Sequence, residues 1–443
     1  MSNLSDLLPA GASGKTIEAV ATATIASKAP VILNSAGTVT EVVQTSPAVT
    51  FAAGTPVEFN SDASTNGVAI AYDSSNSKVV VSYMNYYATP TWAGLCIVGT
   101  VSGTTTSWGT PVVFSSGAIE YETAITFDST NNKMVIAYRD GADSDKGKAI
   151  VGTVSGTTIS FGTAVEFESG ATSNINCVFG NGNVLISYTD GGDSYRYKMI
   201  VGTVSGTAIS YGSEVSSGAA GDYPKACYDS TADKFFVAYR NSVNTGGGVV
   251  VTVTGTTPAF GTPVVFISGD ILNGVFPVLG TSYDPVADKS VIAFCQSADS
   301  HKGFAVVATI TGTTPSYGTI VKFNDDGDTN SIAIGYDPDA DKHVIVYTNS
   351  DVTDDPGTAI GGTVSGTSIS FGTTVLFQPT GDPTYNDIAY DTSNNKFVAA
   401  CRMNTGKGNA TVITTGQDAV TNVASFVGIA DAGISTSATG TIV

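Results

Sequence analysis

The chain has 443 residues, of which 19 are basic and 38 are acidic, and its formal net charge is −19. A protein that binds nucleic acid needs a basic surface to displace counterions, so this charge argues against nucleic acid as a partner. The charge equally disfavours an anionic membrane surface, and the chain lacks the apolar run of about 18 residues that membrane insertion requires.

The two ends of the chain, residues 1–45 and 417–443, are each too short for a core of their own. The N-terminus lacks a basic start followed by an apolar stretch, so we predict no signal peptide. Residues 15–26 are predicted to form a short helix, and residues 34–37 the tip of a hairpin. We expect the end segments to pair with each other, with the rest of the chain or with another copy, which leaves a homo-oligomer open.

Seven near-copies of one phrase lie between residues 46 and 416. The most apolar run of each copy ends at Tyr83, Tyr138, Tyr188, Tyr239, Phe294, Tyr347 and Cys401. These residues are 50 to 55 positions apart, a period typical of repeated β-sheet blades. In the second copy, alternating apolar and polar residues predict four strands, a to d, at residues 123–128, 133–139, 149–155 and 159–167.

The turns between these strands also repeat. Six copies carry D-x-x-x-x-K between strands a and b, where Asp caps a tight turn with its side-chain oxygen. The third copy has Asn181-Gly182 instead, a strong hairpin signal. An aromatic-Gly pair recurs in strand d of six copies. We interpret the aromatic as packing between blades and the Gly as a bulge or a close backbone approach.

The seventh copy stops after strand c, and residues 46–59 resemble the missing strand d. We therefore predict an all-β fold, a seven-bladed β-propeller of four-stranded blades, in which this N-terminal strand completes the last blade. Such closure removes the open sheet edges that invite aggregation. Strand a carries small residues and is expected to line a central channel. The predicted domains are residues 1–45, 46–416 and 417–443.

Loops on the two faces of the predicted disc differ. The a–b and c–d turns share one face and are nearly invariant, whereas the b–c and d–a loops share the other face and differ in every copy. We expect binding on the variable face and the end segments on the opposite one. The candidate ligand-binding residues are Tyr86, Tyr87, Trp92, Tyr121, Tyr195, Tyr197, Tyr223 and Tyr385. In the alternative interpretation, several of them fold back onto their own loops.

No cofactor is expected, and the spacing of the acidic turns suits Ca²⁺ as a bound metal. The aspartates with ligand-like spacing are Asp325, Asp326, Asp328, Asp337, Asp339 and Asp341. They lack the Gly and distant Glu of an EF-hand, and solvated turns are the alternative interpretation. The five cysteines occupy apolar runs, so we predict that they are buried and that no disulfide framework exists.

Catalytic residues are scarce in this sequence. His301 and His343 lie in different copies without a Cys or Glu partner nearby, which disfavours zinc or a His-based triad. Arg139, Arg240 and Arg402 share one strand-b position, as a three-arginine site for an anionic sugar would require. The other copies carry unrelated residues there, and the Asp-box turn of propeller sialidases is absent. We expect a protein that is not an enzyme.

The phrases AYRDGADSDKGKAIVGTVSGTTISFGT and YDSTADKFFVAYRN resemble repeats in structural and tail-fibre-like proteins of marine bacteriophages. The opening and closing segments resemble the regions that flank such repeats. The resemblance implies a virion component, such as a tail fibre, a head fibre or a capsid-decorating protein, and assigns no catalytic residue. It implies that residues 1–45 and 417–443 contact other virion proteins.

Three functional hypotheses follow from the sequence. The first is a non-enzymatic virion propeller that binds a host-surface glycan or protein through the variable loops. The second is a lectin-like carbohydrate-binding module of a secreted bacterial protein. The third is a glycan-cleaving propeller enzyme.

Overall fold

The computed structural model describes residues 17–21, 30–33, 38–41, 51–62, 64–87, 92–271, 277–415, 426–429 and 439–442. Strands dominate these residues, and the only helical segments among them are the 3₁₀ turns Gly141–Asp143 and Ser297–Asp299. The predicted all-β class is confirmed. In the described part of the chain, no helix is long and apolar enough to cross a membrane.

The strands are numbered in chain order. The first are β1 (Ile17–Ala21), β2 (Pro30–Leu33), β3 (Thr38–Glu41), β4 (Ala52–Ala53), β5 (Val57–Asn60), β6 (Thr65–Asp73), β7 (Lys78–Asn85), β8 (Ala93–Ser102), β9 (Thr105–Trp108), β10 (Val112–Ser115), β11 (Ile119–Asp128), β12 (Lys133–Asp140) and β13 (Lys146–Ser155). The next are β14 (Thr158–Phe161), β15 (Val165–Gly180), β16 (Asn183–Asp190), β17 (Arg196–Ser205), β18 (Ala208–Tyr211), β19 (Val215–Asp229), β20 (Lys234–Asn241), β21 (Gly246–Thr254), β22 (Thr257–Phe260), β23 (Val264–Ile267) and β24 (Leu279–Asp284). The last are β25 (Lys289–Gln296), β26 (Lys302–Thr311), β27 (Thr314–Tyr317), β28 (Val321–Asn324), β29 (Asp328–Asp337), β30 (Lys342–Ser350), β31 (Gly357–Ser365), β32 (Ser368–Gln378), β33 (Thr384–Asp391), β34 (Lys396–Arg402), β35 (Gly408–Thr414), β36 (Phe426–Ile429) and β37 (Thr439–Ile442).

These strands group into two compact units. The smaller unit is one sheet with the order β36-β2-β3-β1-β37, so strands from the two ends of the chain pair with each other. The predicted hairpin is confirmed by the antiparallel pairing of β2 with β3, although its tip lies outside the described residues. The predicted helix at residues 15–26 is wrong over β1, because pairing with β3 and β37 overrides the local helix propensity.

The larger unit contains the repeats, and each repeat is an antiparallel ladder. In the second copy, β11 pairs with β12 and β12 with β13, whose other edge pairs with both β14 and β15. The predicted strand d is therefore two strands separated at Gly162. β15 and β19 continue from strand d of one copy into strand a of the next, where the sequence predicted a loop.

The N-terminal strand expected at residues 46–59 is observed as β4 and β5. Both pair antiparallel with β35, the strand c of the seventh copy, in a register that places Ala53 opposite Ile413 and Asn60 opposite Gly408. A hydrogen bond also joins the first strands of the first and last copies, since the Ile70 backbone N–H donates to the Asp387 carboxylate over 2.8 Å. The chain segments farthest apart in the repeats are thus hydrogen-bonded to each other.

Buried aspartates build the a–b turns. One carboxylate oxygen of each accepts the backbone N–H groups two and three residues further on, as the sequence predicted. These residues are Asp73, Asp128, Asp229, Asp284, Asp337 and Asp391. In the third copy, Asn181 and Gly182 both have positive φ, which confirms the predicted hairpin turn.

Aromatic rings connect successive copies. Phe114, from strand d of the first copy, lies 5.3 Å from Tyr138 and 6.0 Å from Phe161, both of the second copy. A Cβ at Gly94 would overlap the Phe114 ring, so this glycine provides the space for it. Equivalent phenylalanines make the same two contacts at Phe59, Phe167, Phe266 and Phe323.

The glycines of five of the six aromatic-Gly pairs lie against the next copy. A Cβ at Gly162 would overlap the carbonyl oxygen of Thr207, in the c–d turn of the third copy. The same overlap occurs at Gly54, Gly109, Gly212, Gly261 and Gly318. The predicted close backbone approach is confirmed. Gly372 differs, because its nearest neighbour would be 3.9 Å away and β32 runs through it unbroken.

We expect Gly162→Ala to destabilise the protein by roughly 1–3 kcal/mol, because the added methyl group forces two backbones apart. Urea denaturation gives this difference in the free energy of unfolding. Gly372→Ala is the matched control and should stay within about 0.5 kcal/mol of the wild type. Equal losses in the two variants would contradict the proposed close approach.

His343 occupies a strand-b position where five of the six other copies carry apolar side chains and the fifth copy carries Ser290. It is fully buried, neither ring nitrogen has a hydrogen-bond partner among the described residues, and Nε2 lies 3.9 Å from the Asp284 carboxylate. Burial lowers the pKa of His343 from 6.5 to about 3. The unfolded chain therefore binds a proton on this residue at a higher pH than the folded chain does.

The folded-state pKa of His343 is the lower one, so protonation of this residue favours the unfolded chain. The free energy of unfolding therefore has its full value above pH 6.5 and decreases as the pH falls toward 3. The loss approaches about 1.4 kcal/mol per pH unit within that window. His343→Phe, which copies the Phe235 and Phe397 positions, should remove it, as measured by urea denaturation at pH 7 and pH 4.5. His301→Gln should retain it, and a flat profile in that control would refute the assignment.

Candidate functional site

The b–c loop of the first copy brings three predicted aromatics together. The Tyr86 ring lies 4.1 Å from the Tyr87 ring, edge-on, and 4.4 Å from the Trp92 ring. Tyr86 and Trp92 are half-buried against the core, whereas the Tyr87 side chain is 73% exposed. A hydrogen bond with Tyr86 raises the pKa of Tyr87, and the positive charge of Arg402 acts in the opposite direction. The cluster therefore packs the exposed Tyr87 ring on two half-buried rings, within reach of the charge of Arg402 in the seventh copy.

Two further candidates belong to other copies. Tyr195 is 63% exposed and has positive φ in the b–c turn of the third copy, where its carbonyl accepts the Gly221 N–H. The side chain of Tyr121 lies outside the described residues. Tyr195 is thus a second exposed aromatic on a variable loop, and it is separate from the cluster of the first copy.

Tyr197 does not face solvent. Its side chain is 4% exposed, and its ring lies 4.4 Å from Tyr239 and 5.6 Å from Phe260. Both neighbours belong to the fourth copy. Tyr197 therefore packs one copy against the next, and its assignment to a ligand-binding surface is corrected because the side chain is part of the interior.

Two residues of the third copy have exchanged roles relative to the second copy, which explains why Tyr197 is buried. The third copy carries Ser217 where the second carries Phe167, and Tyr197 where the second carries Gly147. A Cβ at Gly147 would overlap the Phe167 ring, so the second copy needs a glycine there. The third copy obtains its bridging ring from strand c instead of strand d. Comparison of the copies for this Gly/Phe pair could have identified Tyr197 as structural.

Tyr223 and Tyr385 lie at a cavity lined by the first strand of every copy. Both have positive φ and begin the bulge at which strand a starts. The side chain of Tyr385 is 8% exposed, so it is buried and does not lie on the outer loop surface. The cavity has a volume of about 180 Å³ and includes backbone or side chains of β6, β11, β15, β19, β24, β29 and β33.

Three polar side chains in this cavity were not among the predicted residues. Asn176, Lys225 and Asp387 occupy one aligned position of strand a, where other copies have Ala69, Ala124, Gly280 and Ala333. A polar residue at a position that is otherwise small was the available sequence signal. Desolvation raises the pKa of Asp387 to about 6, partly opposed by N–H donors from Ile388 and Ile70.

The predicted acidic residues have separate roles. Asp337 caps its turn and accepts a hydrogen bond from Thr415, while Asp339 and Asp341 accept from Tyr390 and Tyr336. In the other acidic loop, Asp325 pairs with Lys322, Asp328 bonds to the His301 ring, and Asp326 is exposed. Over the described ranges, no three His, Cys, Asp or Glu side chains are placed to hold a metal ion.

The three aligned arginines also have individual partners. Arg139 pairs with Asp145 at 2.7 Å, Arg240 pairs with Asp222 at 3.2 Å, and Arg402 bonds to Thr384. Each interaction stays within its own copy. All five cysteines are buried and free, as the sequence predicted.

The comparisons with known proteins concern the fold. No protein-family model matches the chain, and no curated protein matches it. The solved β-propeller domain of Cps50 (Swd1) from Myceliophteria thermophila is similar, with a TM-score of 0.50 and 8% identity, over 82% of this chain and 99% of that one. The fold is all-β and similar to a β-propeller. At this identity the likeness extends to the fold alone.

We expect Tyr197→Gly to cost roughly 3 kcal/mol, because it removes a buried ring between two copies. Adding Ser217→Phe should restore most of that loss, since the pair then matches the second copy. Denaturation of both single variants and the double variant measures the coupling energy. Ser217→Phe alone should also destabilise, and purely additive effects would disprove the exchange.

Proposed function

We propose that the repeats form a seven-bladed β-propeller in which the N-terminal strand completes the last blade. Three observations support this proposal. β4 and β5 pair with β35, the Phe59 ring packs on Tyr83 and Trp108 of the first copy, and the first strands of all copies line one cavity. Closure by an end strand joins the first and last copies and leaves no unpaired blade edge.

We further propose that the protein is a non-enzymatic adhesin that binds a host-surface glycan or protein through its variable loops. The cluster of Tyr86, Tyr87 and Trp92 carries this proposal. An exposed aromatic ring supported by neighbouring rings, as Tyr87 is by Tyr86, offers contact area at low entropic cost, which suits recognition of sugars and proteins. Tyr195 adds a second exposed ring on the same class of loop.

The proposed setting is a bacteriophage particle, on the strength of the repeat phrases described above. In that setting, the end segments at residues 1–45 and 417–443 would contact other virion proteins. Mass spectrometry of purified phage particles tests this part, and the expected result is peptides of the chain at stoichiometric amounts. Recovery only as free protein in the culture medium would favour a secreted lectin-like module instead.

The surface proposal predicts that Tyr87→Ala weakens ligand binding at least tenfold, which corresponds to about 1.4 kcal/mol. A glycan array first identifies the ligand, and surface plasmon resonance then compares the variants. Val286→Ala is the control, because Val286 is 68% exposed in an a–b turn and so belongs to the regular turns. Equal effects of the two substitutions, or no binding by the wild type to glycans or host cells, would defeat the proposal.

A further inference from the structure

The cavity between the first strands has its polar groups at two separate places. Asn176 on β15 and Lys225 on β19 are neighbours, since the Ala226 N–H donates to Asn176 Oδ1 over 3.0 Å. Asp387 and Asn386 lie on β33. Contacts between successive first strands place β24 and β29 between β19 and β33, and β6 and β11 between β33 and β15. The two polar groups therefore face each other across the cavity.

One side of the cavity offers unused donors. Lys225 makes no hydrogen bond or ion pair with any described residue, and the Asn176 side-chain amide donates to none. Desolvation raises the pKa of Asp387 and the charge of Lys225 partly opposes that rise, yet no ion pair within 4 Å joins the two side chains. A cation held this way, beside an amide donor, has the chemistry that recognises a carboxylate.

The opposite side offers acceptors. Asn386 is buried and donates to Thr348, but its Oδ1 has no partner although the residue lines the cavity. Both Asp387 oxygens accept one backbone N–H each, which leaves lone pairs on each oxygen. An unpaired buried acceptor costs free energy, and a ligand that donates a hydrogen bond to it removes that cost.

The size and walls of the cavity restrict the ligand. Small residues at the same level, such as Ala124, Gly280 and Ala333, leave a volume of about 180 Å³ open between the polar groups. Tyr223 and Tyr385 also line it. This volume fits a single small molecule rather than a polymer or a peptide, and the walls combine apolar and polar surface as ligand pockets do.

We propose that this cavity binds a small carboxylate whose other end donates hydrogen bonds. The carboxylate lies at Lys225 and Asn176, and hydroxyl or ammonium donors face Asp387 and Asn386. Sugar acids and amino acids share this chemistry. The site is distinct from the aromatic cluster of the b–c loop, so it neither requires nor replaces the surface recognition proposed above.

Isothermal titration calorimetry of the full chain with glucuronate and with glutamine tests the proposal. We expect saturable binding of at least one probe with one site per chain, and binding of glucose at least tenfold weaker than that of glucuronate, because glucose lacks the carboxylate. Binding of glucuronate but not glutamine identifies a sugar-acid site, and the reverse identifies an amino-acid site. If neither probe binds the wild type, the proposal is overturned.

Lys225→Met should weaken binding of the better probe at least tenfold, and Lys133→Met, which changes a strand-b lysine outside the cavity, should leave it unchanged. Lys225→Gln is the second variant, because it keeps a polar side chain if the methionine variant unfolds. Asp387→Asn should weaken binding of an ammonium-bearing probe more than that of glucuronate. Retention of wild-type affinity in a folded Lys225 variant would overturn the assignment.

Discussion

A phenylalanine clamped between successive repeats is the contact on which the rest of the larger unit depends. Phe114 touches the strand-b tyrosine and the strand-d aromatic of the next copy, and Gly94 leaves room for its ring. Because both contacts cross from one sheet to another, they set the distance between sheets. The third copy satisfies the same constraint with Tyr197, so the ring is retained even where the strand that supplies it changes.

The contacts of the turns determine which loops can vary between copies. The c–d turns of the first six copies lie against a glycine of the neighbouring strand d, and the a–b turns of all copies but the third are capped by a buried aspartate. A change in either turn must preserve these backbone contacts, as the Asn181-Gly182 hairpin of the third copy does with another turn type. The described b–c loops bond instead to the variable d–a loops, as Trp92 does to Ile119 and Tyr195 to Gly221. There the first copy holds Tyr86, Tyr87 and Trp92 as a cluster and the third exposes Tyr195.

Strand a, the first strand of each copy, also varies in sequence at one aligned position. One aligned position of each first strand lines a shared cavity, and a small residue suffices at that position in four copies. Three copies nevertheless carry Asn176, Lys225 and Asp387 there. Lys225 and Asp387 are half-buried there without forming an ion pair, which costs stability, and desolvation raises the pKa of Asp387 to about 6. Unpaired charges in a cavity are candidates for function.

The sequence alone determined the strand content, the turn chemistry and the close approach at the aromatic-Gly pairs, because these follow from local alternation and from glycine and aspartate geometry. Only the tertiary structure decided which aromatics are accessible. Tyr87 and Tyr197 both lie near b–c turns, yet one is exposed and the other fills the space of a missing phenylalanine. The tertiary structure also decided that β1 is a strand, because pairing with distant strands outweighs its local helix propensity. It alone placed Lys225 and Asp387 at opposite sides of one cavity, because they are far apart in sequence.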